Sequence, residues 1–201
     1  MFDERYEKYL NVFNEYAEKY FSALKTTPAI LKESMAYSFL NGGKRIRPVL
    51  TLAVADALSL DFSEALPYAL ATEMIHTYSL IHDDLPAMDN DDFRRGKPSS
   101  HKAFGEGHAV LAGDALLNTA YLVLFDCCFK GEKYVRAARM ICEYAGIDGM
   151  IAGQSADLLA AEKDAVVDEA TLRFIDEHKT GKLILSSVLA PCVLAENKNY
   201  F

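Results

Sequence analysis

Five carboxylates lie within ten positions of this 201-residue chain, in the segment HDDLPAMDNDDFRRGKP that runs from residue 82 to 98. The first two, Asp83 and Asp84, follow a largely apolar stretch that predicts a helix, so they fall at the negative end of its dipole. Carboxylates this close raise one another's pKa unless a cation compensates them. A hard divalent ion with oxygen ligands does so, and magnesium is the natural candidate. A solvated acidic loop is the alternative interpretation.

Cations follow the acidic run directly, at Arg94, Arg95 and Lys97. Negative and positive charge in this order suits a site that holds both a metal ion and a phosphate. A calcium loop of the EF-hand type fails on spacing, because a loop that begins at Asp89 has Arg94 where glycine is required. Zinc is disfavoured because no cysteine lies nearby.

A second cationic cluster, NGGKRIRP at residues 41–48, has three cations in four positions after a glycine pair. Glycines let the backbone approach a ligand, and lysine with arginine can grip a diphosphate. A nucleotide-binding P-loop is excluded, because it needs glycine where the chain has Ser38 and a hydroxyl residue where it has Arg45. Taken alone, the cluster is at least as often a solvated helix end as a binding site.

Weaker polar signals lie inside predicted helices. His76 precedes Asp83 by two helical turns and so falls on the same face. Gln154 and Asp157 form an i, i+3 pair, and residues 178–181 read HKTG. Each of these is, by itself, more often a satisfied polar residue than a ligand.

Apolar residues recur at spacings of three and four along most of the chain, and no alternating pattern with hairpin turns is evident. The pattern predicts one all-α domain over residues 1–201, without a sheet. Residues 108–128 are nearly all apolar, which favours a central helix. The predicted helices are residues 2–24, 28–40, 48–58, 64–82, 108–128, 134–145, 147–161 and 168–196, with a polar loop at 86–107.

The composition, 51% hydrophobic and 25% charged, is that of a soluble globular chain. A formal net charge of −8 argues against a nucleic-acid partner. The four cysteines have neither zinc-finger spacing nor the density of a disulfide scaffold, which favours a reducing compartment. The charged amino terminus does not resemble a signal peptide, and the apolar run 183–195 is too short to span a bilayer. We therefore expect a cytoplasmic protein with no membrane insertion.

Five segments together resemble the isoprenyl diphosphate synthase (polyprenyl synthetase) family, most closely its bacterial farnesyl diphosphate synthases. In chain order they are GGKRIRP, HTYSLIHDDLPAMDNDDFRRGKP, HKAFGEGHAVLAGDALL, GQSADL and HKTGKL. The resemblance implies an isoprenoid-synthase-type helical bundle around a central cavity, and a homodimer. It also implies head-to-tail condensation of dimethylallyl or geranyl diphosphate with isopentenyl diphosphate to give farnesyl diphosphate, with Mg²⁺ as cofactor and Mn²⁺ as a substitute.

The resemblance also assigns residues. The metal ligands on the allylic diphosphate are Asp83, Asp84 and Asp89. The isopentenyl diphosphate site comprises Lys44, Arg47, His76 and Arg95. The contacts to the allylic substrate are Arg94, Gln154, Lys179 and Thr180, and the catalytic set is the three aspartates with Arg94, Lys179 and Thr180.

The implied mechanism begins with ionisation of the allylic carbon–oxygen bond. The double bond of isopentenyl diphosphate attacks the resulting cation, and a proton then leaves, with the released diphosphate as its acceptor. Metal, arginine and lysine stabilise the departing charge, and an apolar cavity excludes the water that would quench the cation. Tyr78 and Ser79 match the positions that floor the cavity, and an aromatic residue at 78 favours a fifteen-carbon product.

The family carries a second aspartate-rich motif downstream of the Lys-Thr segment, and this chain ends at Phe201 before any such motif. We therefore expect an incomplete domain without the last helices. A truncated gene, a fragment of a longer protein and a natural short form are the open explanations. If the chain is only this long, we expect weakened binding of magnesium and diphosphate, with very low or no turnover.

Two other functions stay open from the sequence. The pair His82-Asp83, with His76 upstream, is compatible with a metal phosphohydrolase of the HD type, although further histidines with a partner pattern are not evident. A non-catalytic subunit that binds a complete prenyl synthase is the second alternative, which the missing motif favours and the retained Asp83, Asp84, Asp89, Arg94 and Arg95 oppose.

Overall fold

The computed structural model describes residues 2–25, 28–163, 165 and 167–196, and for Phe2 only the backbone. Nearly all of this part of the chain is helical, which confirms the all-α class. The helices are α1 (Phe2–Ala23), α2 (Ala29–Phe39), α3 (Ile46–Ala57), α4 (Phe62–Asp83), α5 (Ser100–Phe104), α6 (Glu106–Cys128), α7 (Glu132–Ala145), α8 (Met150–Ala160), α9 (Glu169–Ile175) and α10 (Lys182–Leu194).

The chain divides into two compact units. The first unit comprises residues 1–49 and 69–123, and the second comprises residues 50–68 and 124–201. The boundaries between them fall inside α3, α4 and α6. The single domain expected from the sequence stays a prediction.

Helix ends follow the local signals in the sequence. Gly42 and Gly43, directly after α2, have φ of +73° and +113°, the left-handed conformation that ends helices. Asp61 begins α4, since its carboxylate accepts a hydrogen bond from the Ser63 amide at 2.8 Å. Asp168 caps α9 through the Thr171 amide in the same way. Thr27, the expected cap of α2, lies outside the described residues.

The expectation that the chain has no sheet is wrong in the loop after α4. Strands β1 (Phe93–Arg94) and β2 (Lys97–Pro98) pair antiparallel, with Arg94 opposite Lys97. Arg95 and Gly96 between them have φ of +53° and +75°, which fits the two-residue turn preferred by hairpins. Strands of two residues are too short to produce an alternating pattern in the sequence. The same loop also contains the short helix α5.

Helix α6 is less buried than its composition predicts. Leu122 and Phe125 are 55% and 64% exposed, and Leu111 lies on the same face three turns earlier. The polar residues Asp114 and Asn118 are exposed as well. By length and composition α6 could cross a bilayer, a test that core helices also pass. The exposed face of α6 is therefore apolar at Leu111, Leu122 and Phe125 and polar at Asp114 and Asn118.

The long helix predicted for residues 168–196 is interrupted. A π-helical segment, Asp176–Gly181, joins α9 to α10 and widens the backbone hydrogen-bond register by one residue. In the same unit α10 packs against α7, with Leu183 and Ile141 fully buried. Thr51 of α3 donates to the Ser187 carbonyl of α10 at 3.0 Å.

Aromatic side chains fill the core of the first unit. Phe21 of α1 stacks on Phe39 of α2 with ring centroids 4.7 Å apart, and Phe13 lies 6.5 Å from Phe39. These rings fix the carboxyl end of α2, and with it the start of the glycine loop that follows.

Candidate active site

The carboxyl end of α4 carries the aspartates predicted as metal ligands. Asp83 and Asp84 are buried, whereas Asp89 is exposed. The chain after α4 curls back, because the Met88 amide bonds to the Leu85 carbonyl at 2.8 Å and the Asp89 amide bonds to the Asp83 carbonyl at 2.9 Å. The backbone of the third aspartate therefore returns to the end of the helix that bears the first two.

Arg94 compensates the more deeply buried carboxylate. Its Nε donates to both carboxylate oxygens of Asp84, at 2.8 and 2.7 Å, and its Nη2 approaches Asp84 Oδ1 to 2.5 Å. Hydrogen bonding to Asp84 raises the pKa of Arg94 above its usual value. Arg94 thus lies on the aspartate cluster, and its contact with an allylic diphosphate stays a prediction.

The two consecutive arginines of the hairpin have different hydrogen-bond partners. Arg94 reaches back to Asp84, whereas Arg95, at the turn, donates to the Gly42 carbonyl. A Cβ at Gly43 would lie 2.6 to 2.8 Å from the Arg95 guanidinium, so a side chain at residue 43 would displace it. Burial, with the neighbouring Arg45 and Arg94, lowers the pKa of Arg95. Arg95 therefore belongs to the cationic loop and not to the aspartates.

A cavity of about 330 Å³ lies beside this loop. It brings together all four residues predicted for isopentenyl diphosphate, and its lining is Gly43, Lys44, Arg45, Ile46, Arg47, Glu73, His76 and Arg95. Burial lowers the pKa of Arg47, an effect that the nearby Glu73 partly offsets. Clustered, partly desolvated cations of this kind are suited to binding an anion.

His76 is uncharged in this environment. Burial, and then the charges of Arg47, Arg95 and other arginines, lower its pKa from 6.5 to about 3. At neutral pH its imidazole can donate a hydrogen bond to a ligand but adds no positive charge.

Tyr78 and Ser79, the predicted chain-length residues, lie one turn before the aspartates on α4. Tyr78 is buried with its ring edge-on to His82, at 5.7 Å and 81°, and burial raises its pKa to about 12. Ser79 donates to the His76 carbonyl at 2.9 Å. Residue 78 is thus a buried aromatic ring, and its role in product length stays a prediction.

His82 makes a packing contact with α6. Its Nε2 donates to the Val110 carbonyl at 3.1 Å, and a Cβ at Gly113 would lie only 2.1 Å from that nitrogen. Gly113 therefore lets the ring lie against the α6 backbone. Among the described residues, no group of three His, Cys, Asp or Glu side chains is arranged to hold a metal.

The remaining predicted residues lie in the second unit. Gln154 and Asp157 are on α8, while Lys179 and Thr180 are in the π-helical segment. Lys179 Nζ donates to Asp157 Oδ2 at 2.5 Å, and Thr180 is exposed. A Cβ at Gly153 would lie 2.0 Å from the Lys179 amide nitrogen, so α8 touches the backbone of this segment. The structure thus joins Lys179 to α8.

The sequence did not reveal that Arg45 of the cationic loop has an acidic partner, Glu73. Arg45 forms a buried ion pair with Glu73, at 2.9 Å. One signal existed, because Glu73 is the only carboxylate in the apolar stretch 65–81. A charge in such a stretch is rarely buried without a partner.

The aspartate donor set fits a magnesium ion. Hard carboxylate oxygens are the ligands that Mg²⁺ prefers, and Asp83 and Asp84 are buried side by side at the negative end of a helix. Such a pair requires compensation, which Arg94 supplies at Asp84 in this structure. The Asp89 backbone returns to this end of α4, and its exposed carboxylate is the third oxygen donor of the predicted set.

The fold is that of an all-α class protein with one short hairpin. The candidate site consists of an aspartate cluster and a cationic pocket, and the hairpin places one arginine at each. The chain belongs to the polyprenyl synthetase family, whose sequence model matches residues 28–200. It is 49% identical over 172 residues to the farnesyl diphosphate synthase of Geobacillus stearothermophilus. It is 42% identical over 187 residues to that of Micrococcus luteus.

A crystal structure of a geranyltransferase from Legionella pneumophila has a similar fold, with a TM-score of 0.88 and 40% identity over 96% of this chain. The Geobacillus and Micrococcus alignments cover 83% and 92% of this chain but 57% and 62% of those proteins. The Legionella match covers 68% of that chain. This chain therefore spans about three fifths of the length of the curated relatives it matches.

Proposed function

We propose that this chain carries part of the active site of a farnesyl diphosphate synthase. The reaction is the condensation of dimethylallyl or geranyl diphosphate with isopentenyl diphosphate. The names of the relatives support the reaction class. One observation carries the proposal: the hairpin delivers Arg94 to the aspartate cluster and Arg95 to the cationic pocket, so two diphosphate sites are served by adjacent residues.

Asp83, Asp84 and Asp89 are the proposed ligands of Mg²⁺, which Mn²⁺ can replace. The metal supplies positive charge to the leaving diphosphate. Arg94 neutralises Asp84 while no diphosphate is bound, and its remaining guanidinium surface is the proposed contact to the allylic diphosphate.

Lys44, Arg47 and Arg95 are the proposed ligands of the isopentenyl diphosphate group. Two guanidinium groups can each bind phosphate oxygens with two parallel hydrogen bonds, and the lysine adds a point charge. His76 is neutral, so it orients the diphosphate through a hydrogen bond without adding charge.

Gln154, Lys179 and Thr180 are the proposed contacts to the allylic substrate in the second unit. Asp157 restrains the Lys179 ammonium group by an ion pair. We further propose that the protein acts in the cytoplasm as a homodimer, with the exposed apolar face of α6 against the second copy.

An assay of the purified 201-residue chain, verified by mass, tests the proposal. The chain is incubated with Mg²⁺, isopentenyl diphosphate and dimethylallyl diphosphate, and the prenyl products are separated by length. Farnesyl diphosphate confirms the activity. The matched controls are Asp84→Asn, which removes a proposed metal ligand, and Asp148→Asn, the same change at an exposed position.

Binding by calorimetry separates the remaining outcomes. Binding of isopentenyl diphosphate without product supports the site but leaves a role as a non-catalytic subunit. A chain that neither turns over nor binds either diphosphate contradicts the proposal. Hydrolysis of a diphosphate ester without isopentenyl diphosphate contradicts it as well, in favour of a phosphohydrolase.

A further inference from the structure

A buried ion pair borders the cationic pocket, and the proposed chemistry makes no use of it. Arg45 Nη1 donates to Glu73 Oε1 at 2.9 Å, and the two residues are 5% and 2% exposed. Desolvation of two charges costs about as much as their attraction returns, so apolar residues of similar volume would often be as stable. Stability therefore does not explain why the pair is present.

Arg45 connects the glycine loop to three helices. Its Nη2 donates to the Phe39 carbonyl at the end of α2, and its guanidinium lies 5.9 Å from the Phe13 ring of α1. Glu73, its ionic partner, belongs to α4. The neighbouring residue is also held by a hydrogen bond, because the Tyr6 hydroxyl donates to the Lys44 carbonyl at 2.5 Å. Residues 44 and 45 are thus fixed by side chains from α1, α2 and α4.

The backbone at Arg45 explains how one loop separates its cations. Arg45 has φ of +45°, a conformation that residues other than glycine rarely adopt. Its side chain is buried, whereas Lys44 is exposed and Arg47 is half-buried on the pocket wall. The strained residue is therefore the one whose side chain is anchored.

The charge balance shows that the pair adds little to anion attraction. Among the described residues that line the pocket, Glu73 is the single carboxylate, and a carboxylate opposes the binding of a diphosphate. Arg45 cancels this charge at hydrogen-bond distance. Lys44, Arg47 and Arg95 are left to attract the ligand, so the contribution of the pair is geometric.

We propose that Arg45 and Glu73 are positioning residues for the diphosphate of isopentenyl diphosphate. Their ion pair holds the backbone of residues 43–47 against α4, and Lys44 and Arg47 thereby present their charges at fixed positions. The identity of the ligand rests on the proposed function, whereas the holding of the loop does not.

The variant Glu73→Gln tests the proposal by the sign of its effect. If Glu73 acted only as a charge, its removal would tighten the binding of an anion. Under the positioning role the affinity for isopentenyl diphosphate, measured by calorimetry, falls by about tenfold, since displacement of a binding group by ~1 Å has effects of this size or larger. Tighter or unchanged binding overturns the proposal.

The matched control is Glu64→Gln, the same change on the same helix at a residue that bonds to Tyr134 and Lys130 instead. Its affinity for isopentenyl diphosphate is expected to equal that of the unmodified chain. An equal loss in both variants would also overturn the proposal, because it would trace the effect to general loosening of α4.

Hydrogen exchange without ligand gives a readout that does not depend on the proposed function. The Val49 amide bonds to the Arg45 carbonyl at 3.0 Å and reports on the loop. In Glu73→Gln, the Val49 amide is expected to exchange about tenfold faster, while the amides of α1 keep their rates. Unchanged exchange of the Val49 amide overturns the positioning role even if the chain binds no diphosphate.

The double variant Arg45→Met with Glu73→Leu tests the proposal in case Glu73→Gln does not fold. It removes both charges and keeps a filled, apolar interior. Its thermal stability is expected to be close to that of the unmodified chain, whereas its affinity for isopentenyl diphosphate is expected to fall. Full affinity in a folded double variant overturns the proposal, because the pocket then needs neither partner.

Discussion

Two side chains on α4 lead to predictions, one about product length and one about the dependence of stability on pH. Tyr78 is buried one turn before the aspartates, and His76 lies further back on the same helix between the arginines of the pocket. Burial raises the pKa of Tyr78 and lowers the pKa of His76. Replacement of Tyr78 by alanine mainly removes volume, whereas replacement of His76 also changes proton uptake.

Replacement of Tyr78 by alanine is expected to lengthen the products. Under the proposed function, the buried phenol ring one turn before the proposed metal ligands limits the depth available to a growing chain, so we expect Tyr78→Ala to shift products to twenty carbons or more. Product length is read by chromatography after incubation with stoichiometric enzyme. Tyr78→Phe keeps the ring and is expected to keep the product of the unmodified chain. An identical profile in all three proteins contradicts this role.

His76 is expected to make stability depend on pH in the acid range. The unfolded residue takes up a proton near pH 6.5, whereas the folded residue does so only near pH 3. Between these values the unfolded state binds more protons, so stability falls as pH falls below 6.5. The slope from one residue is at most about 1.4 kcal/mol per pH unit.

Urea unfolding at pH values from 7.5 to 5 measures this effect. His76→Gln removes the titrating ring, so the free energy of unfolding of the variant declines less steeply below pH 6.5. His108→Gln serves as the control, because it makes the same replacement at a half-buried histidine in the first turn of α6. Parallel curves for the unmodified chain and His76→Gln would contradict the uncharged state of His76.

At the scale of elements, close backbone approaches hold the polar segments in place. Gly153 gives no space for a side chain, because α8 touches the π-helical segment at the Lys179 amide. Gly153→Ala is expected to destabilise the chain by about 1–3 kcal/mol, as overpacking does. It is also expected to weaken the Lys179–Asp157 ion pair.

Gly107→Ala is the matched control for this prediction. Gly107 also lies in a helix, α6, but an added Cβ meets nothing within 4 Å. Alanine there is expected to be neutral or to stabilise by up to about 1 kcal/mol through helix propensity. Urea unfolding of both variants decides the matter, and equal stabilities would refute the close packing at Gly153.

Local signals predicted the helices and their ends, but tertiary contacts decided the rest. The left-handed glycines after α2 and the cap at Asp61 depend on a few neighbouring residues, so a sequence pattern identifies them. The π-helical segment contacts α8 at Gly153, which lies more than twenty residues before Lys179 in sequence, so no local pattern reports this contact. The pairing of Arg45 with Glu73 spans 28 residues and leaves no periodic trace.

The site could be predicted only in part for the same reason. The aspartate run and the cation cluster are contiguous in sequence, so their chemistry is apparent before folding. The different placement of Arg94 and Arg95 is not apparent from the sequence, because it depends on a hairpin whose strands have two residues each. The resemblance to a family supplied the roles that spacing alone left open.

At the scale of the whole molecule, α6 exposes an apolar face that favours association. Phe125→Glu places a charge on this face and is expected to shift the chain toward monomer, because burial of a carboxylate in an apolar interface is costly. Sedimentation at several concentrations measures the mass. Ile147→Glu, at an 81% exposed residue in the turn before α8, is expected to leave the mass unchanged. A monomer for the unmodified chain would exclude the homodimer.

The hairpin constrains how the chain can vary in length. Side chains of a strand alternate between faces, so a shift by one residue exchanges the two sides. A residue inserted before Arg94 would place Arg94 at the turn and withdraw it from Asp84. A deletion there would move Arg95 from the turn into the strand position of Arg94. Insertions and deletions between the last aspartate and Gly96 are therefore expected to be eliminated by selection in descendants of the gene.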